Sequence, residues 1–179
     1  MTLFNIKKRR LKPSRFPLYV WLGALPFFTA HIWLTSLELP ARVATHFNAA
    51  GEPDGWMTRD NHVASLIALG LGMSAFIVGL CYAMRWFPKA RLSVPNQALW
   101  QKPAHRPAAL AFIFYHAFWL GTWALVFIAA VNHFIVAANR PEAATLANRG
   151  LLITAGLFTA GILAWIFILV RFFQKAPPR

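Results

Sequence analysis

The chain predicts an all-α fold, an integral membrane bundle of four helices forming one domain over residues 1–179, and three observations carry that prediction. Apolar residues make up 58% of the sequence and charged residues 13%, too few charges to clothe a soluble bundle. The charges also leave four stretches nearly empty, at about 16–37, 62–87, 108–138 and 150–173. Each is long enough to cross a hydrocarbon core of about 30 Å, which takes about 20 helical residues. Finally, the basic residues between these stretches are distributed unevenly, in the way that sets membrane topology.

The first stretch follows a basic segment and runs for about 22 residues, longer than the roughly 7–15 of a cleaved signal peptide, so it is expected to stay as an anchor. Pro26 inside it should kink the helix and free a backbone carbonyl for a neighbouring helix or for Thr29. The second stretch has small residues four apart, Gly70 with Ser74 and Ala75 with Gly79, and the fourth has Gly156, Ala160 and Ala164. This spacing lets helix backbones approach closely in lipid, within the bundle or across a homo-oligomer. Trp21, Trp33, Trp86 and Trp100 fall near span ends, where interfacial aromatic belts form.

Fourteen of the 18 basic residues lie before the first stretch, between the second and third, or after the fourth; only Arg42, Arg59, Arg140 and Arg149 lie on the other side. The positive-inside rule then puts both termini in the cytoplasm of a bacterial inner membrane, and the motif loop 38–61 and the short loop 139–149 outside. The formal charge of +13 is read as a topology signal and as contact with the lipid bilayer, not as nucleic-acid binding. The cytoplasmic loop 88–107 has four prolines and no acid. It is expected to form no long helix and to lie against anionic headgroups with Trp100 as an interfacial anchor.

Function classes narrow in turn. Cys81 is the only cysteine, which excludes an internal disulfide or a dithiol relay. The polar groups inside the spans are His31, His116, Asn132 and His133, with no carboxylate among them, and proton-coupled four-helix exporters depend on a buried acid. His31 and His133 lie about 9 Å and 8 Å below the outer span ends at about 1.5 Å per residue. Two such imidazoles could ligate haem, yet no haem motif surrounds either. The plainer reading bonds each histidine to a backbone carbonyl or a neighbouring helix.

A site is expected in the polar segment that joins the first two spans. Pro40, Pro53, Gly51 and Gly55 impose turns on it, so Thr45, His46, Phe47, Asn48, Asp54 and Trp56 are presented from an ordered extracytoplasmic loop. Leu39-Pro40, Val43, Thr45-His46-Phe47-Asn48 and Gly51-Glu52-Pro53-Asp54-Gly55 resemble the signature of the bacterial membrane domain of unknown function 1648, found in proteins related to the Sdp-toxin immunity family. A second segment, Val94-Pro95-Asn96 with Trp100, Pro103 and Arg106, is similar to that family's Ile-Pro-Asn…Tyr-Trp-Leu…Pro…Arg run, with Leu99 for the usual Tyr and Gln101 for the usual Leu. Asn132-His133 and Ala138-Asn139-Arg140-Pro141 are a weaker echo. The resemblance implies a multispanning protein. Immunity relatives protect a producing cell from a secreted membrane toxin, and one branch relays the toxin's presence to a cytoplasmic repressor held at the membrane. With four spans and without the longer immunity region of those relatives, this chain reads as a stand-alone member.

Read from its residues, the loop supports two mechanisms. As a receptor element it offers His46, Asn48, Asp54 and Trp56 as one face for a peptide or toxin, with a cytoplasmic protein as the partner on the other side through Pro95, Asn96 and Trp100. As a metal centre, His46 and Asp54 with Glu52, Asp60 or His62 offer zinc nitrogen and oxygen ligands. No His-Glu-x-x-His pair is present, so no catalytic residue is assigned and an enzyme is not expected. The third reading is structural, with Thr45, Asn48 and Asp54 capping turns.

Overall fold

The computed structural model describes residues 14–88, 90–140 and 148–176. In chain order these form α1 (Phe16–Ser36), β1 (Arg42–Phe47), β2 (Pro53–Thr58), α2 (Arg59–Ala83), a 3₁₀ turn (Met84–Trp86), the one-turn α3 (Gln97–Trp100), α4 (Arg106–Ala138) and α5 (Asn148–Gln174). α1, α2 with its 3₁₀ turn, α4 and α5 are long and apolar enough to cross a membrane, which makes the chain a multi-pass membrane protein by length and composition.

The all-α expectation is corrected at 42–58, where β1 and β2 pair antiparallel as a hairpin. The helix ends shift as well. α2 starts at Arg59, one turn before the expected 62, because Thr58 accepts a hydrogen bond from the Asn61 amide at 3.2 Å and caps the helix. At α1, Pro17 sits in the first turn and the Ser14 hydroxyl accepts from the Phe16 amide. Pro26 has no N–H for the Leu22 carbonyl, and Thr29 does not answer it: its hydroxyl donates to Leu25 at 3.0 Å.

α1, α2 and α4 pack on one another, and α5 packs chiefly on α4. Phe28, Ile32, Val63, Leu125 and Ile128 fill the three-helix core toward the hairpin, and Val78, Ala117 and Phe118 fill it further down. The small residues explain the close approach. A Cβ on Gly70 would stand 2.3 Å from the Phe28 ring, and one on Gly121 would stand 2.9 Å from the Ser74 hydroxyl. Ser74 accepts from the Trp21 indole at 2.8 Å and donates to the Gly121 carbonyl at 3.0 Å, so the half-buried Trp21 is tied into the bundle by its indole N–H. Gly79 and Gly156 meet nothing within 4 Å, and the α4–α5 contact runs instead through Gly161 against the Trp123 ring.

The end of the bundle away from the hairpin is held by side chains of the second motif. Asn96 takes a left-handed φ of 52°, which Asn tolerates, and its amide donates to the carbonyls of Phe173 and Gln174 at 3.2 and 2.8 Å. Trp100 donates to the Phe173 carbonyl at 3.1 Å from a site 1% exposed, which corrects its expected place as an interfacial anchor. These donors satisfy carbonyls that the last turn of α5 leaves unpaired. Arg106 is buried with its guanidinium on the carbonyls of Ala90 and Phe87 at 2.9 and 2.8 Å. Gln101 takes the Leu92 amide at 3.1 Å and gives to Ala90 at 3.0 Å.

Candidate functional site

At its tip the hairpin is shaped by Asn48, whose side-chain oxygen accepts from the amides of Ala50 and Glu52 at 2.9 and 3.0 Å. Its backbone amide donates to the Glu52 carbonyl at 2.9 Å, and Gly51 supplies the φ of 83° that the turn needs. The strands run in register from Arg42 opposite Thr58 to Ala44 opposite Trp56; a bulge at Thr45 then sets His46 opposite Gly55. A Cβ on Gly55 would stand 2.8 Å from that of His46, so glycine is required there. His46 Nδ1 meets Asp54 Oδ1 at 2.5 Å, and the Arg42 guanidinium lies 5.3 Å from the Trp56 ring.

The hairpin is fastened to the bundle by residues outside the motif loop. Asn139, just past α4, accepts from the Ala44 amide at 2.8 Å and donates to the Ala44 carbonyl at 2.9 Å, pairing both backbone groups as a third strand would. Arg140 pairs with Glu38 at 2.9 Å, and Leu39 and Val43 bury against Val136. Thr45, His46 and Phe47 share a cavity of about 180 Å³ with Val131, Phe134, Ile135 and Leu151. That places His46 at the His133 end of α4, far from His116.

Beneath the hairpin lies a polar chain that the sequence did not announce. The Thr35 hydroxyl donates to the His31 carbonyl at 2.8 Å and accepts from the Asn132 amide nitrogen at 2.9 Å. Asn132 therefore turns its oxygen to His62 Nε2, 3.1 Å away, and that nitrogen carries the proton. His62 and Asn132 are both buried, and with Thr35 they tie α1, α2 and α4 together at one level. In the sequence His62 reads only as a metal candidate at a span boundary. The signal that would have moved it inward was the Thr58 cap, which starts α2 a turn earlier.

Among the described residues no contact joins His31 to His133, the two imidazoles that could ligate haem. His31 lines a cavity with Phe28, Leu125 and Ala129, whereas His133 is exposed and touches Phe134 edge-on. His116 bonds the Phe112 carbonyl of its own helix at 3.0 Å. The zinc donor set is not assembled either: among the described residues no three of His, Cys, Asp and Glu converge. His46 and Asp54 are bonded to each other, Glu52 accepts from Asn48 at 3.0 Å, and His62 faces Asn132. What the arrangement can do is present His46, Asp54 and Trp56 on a fixed backbone. Pro40 precedes β1 on the surface, while Pro95, Asn96 and Trp100 lie at the opposite end of the bundle.

The class so defined is a multi-pass helical membrane protein with a clamped hairpin between its first two spans. Residues 22–71, from α1 through the hairpin into α2, match the model of the family described as Domain of unknown function (DUF1648). Asn132 and Asn139 lie beyond that segment, yet they grip it at His62 and Ala44. No curated protein and no solved structure matches the chain.

Proposed function

We propose that this chain is a recognition protein of the bacterial inner membrane, of the immunity or signalling kind, whose hairpin meets a secreted peptide or toxin outside the cell. Both termini and the 88–107 loop then lie in the cytoplasm, as the segregation of basic residues argues. One observation carries the reading. The hairpin backbone is clamped by Asn139, yet the side chains at its tip are left in the open, with His46 76% and Asp54 45% exposed. A turn serving only to join two helices needs no such fastening, whereas a fixed polar and aromatic face lowers the ordering cost of binding. Trp56, exposed beside Arg42, is the anchor such a face uses.

The test is survival, or reporter output, of cells challenged with the secreted peptide fraction of a producing strain. Cells making the chain with His46→Ala, Asp54→Ala and Trp56→Ala together, at normal membrane levels, are expected to respond like cells without it. A full response from the triple variant removes the hairpin as the recognition face. Stoichiometric zinc in the detergent-purified protein would replace this reading with the metal one.

A further inference from the structure

Among the described residues every Asp and Glu lies in 38–60, so none of these carboxylates neutralises the basic end of the bundle. At that end of the bundle three arginines have partners. Arg85 covers the rings of Tyr82 and Phe114 at 4.9 and 4.6 Å, Arg171 lies 5.7 Å from the Phe167 ring, and Arg106 binds two carbonyls. Arg91 makes no such contact among the described residues. It lines a cavity of about 390 Å³, within the size range of small-molecule sites, about 300–1,000 Å³.

The walls of that cavity divide by chemistry. Arg91 and Ser93 are its polar side chains; Ile113 of α4 and Ile166, Val170 and Phe173 of α5 form its apolar side. From Phe173 to Ile166 the helix advances about 10 Å at about 1.5 Å per residue, so the cavity runs from the helix end toward the hydrocarbon. Its polar wall is built, not loose. The 87–96 loop is pinned by Arg106 and Gln101 at Ala90, by Gln101 at Leu92 and by Asn96 on α5. A second cleft of about 400 Å³ between α4 and α5, lined by Trp119, Trp123 and Trp165, has no Lys or Arg in its wall.

We infer that this cavity is a binding site for one anionic phospholipid. The headgroup phosphate sits on the Arg91 guanidinium and the Ser93 hydroxyl, and the upper part of an acyl chain lies between α4 and α5. Charge selects the ligand: an uncompensated guanidinium at headgroup level attracts an anion, and the apolar wall below it selects one that carries a chain. The second motif thereby gains a purpose beyond capping α5, since it holds Arg91 over the cavity.

Native mass spectrometry of the detergent-purified protein, titrated with phosphatidylglycerol and with phosphatidylcholine of the same chains, tests this. One phosphatidylglycerol per chain should be retained in preference to phosphatidylcholine. Arg91→Gln, an exposed position where folding is not at stake, should weaken that retention about fivefold, with Arg171→Gln unchanged. Val170→Trp, which fills the apolar side, should abolish it at an unaltered thermal midpoint. Equal retention of the two lipids, wild-type retention by Arg91→Gln, or displacement by millimolar inorganic phosphate would each overturn the site.

Discussion

Asn139 carries more of the architecture than its place in a helix-end sequence suggests. A primary amide offers one acceptor and two donors, and here the acceptor takes the Ala44 amide while the donors reach the carbonyls of Ala44 and Ile135. Removing it leaves the backbone groups of a buried residue without partners, at about 1–3 kcal/mol for such a group. Asn139→Ala is therefore expected to speed hydrogen exchange at the Ala44 amide by about tenfold or more, since about 1.4 kcal/mol is a factor of ten. Unchanged exchange at Ala44 would show that β1 is held by the hairpin alone. The sequence showed Asn139 as a weak echo of a motif but not its target, because a contact across 95 positions leaves no periodic trace.

Thr35, Asn132 and His62 make the same point for whole elements, because each comes from a different helix. Asn132→Leu would orphan the His62 Nε2–H and one acceptor site of the Thr35 hydroxyl, so a loss of about 1–3 kcal/mol is expected in detergent unfolding. Thr35→Val on top of it should cost less than it does alone, since its partner is already gone. Strictly additive losses would mean that the three groups do not act as one chain. At this scale the sequence was most legible where length and apolarity decide. Four spans were expected and four such helices are present, with ends displaced by a turn or less. It was least legible about which side of a helix faces inward. α4 is apolar on nearly every side, so nothing distinguished Asn132, which is buried, from His133, which is exposed one residue on. The hairpin was hidden for another reason: prolines and glycines at 40, 51, 53 and 55 read as turns. The alternation of Val43, Thr45 and Phe47 between them was the strand signal.

Taken whole, the molecule is polar in two opposite ways. Among the described residues the acids gather with the hairpin, most basic residues lie at the other end, and four apolar helices separate them. By the positive-inside rule that asymmetry argues for the orientation on which the proposed recognition depends, with the hairpin outside and the 88–107 loop inside. Clamping and orientation can be read together. Single cysteines at Trp56, Ala44 and Ala176, in a Cys81→Ala background, are exposed to a membrane-impermeant maleimide in intact cells. Trp56→Cys should react at once, Ala44→Cys should stay silent until the protein is denatured, and Ala176→Cys should react only after lysis. Labelling of Ala176→Cys in intact cells with Trp56→Cys silent, or equal labelling at Ala44→Cys and Trp56→Cys, would contradict the account of a clamped hairpin that faces the outside.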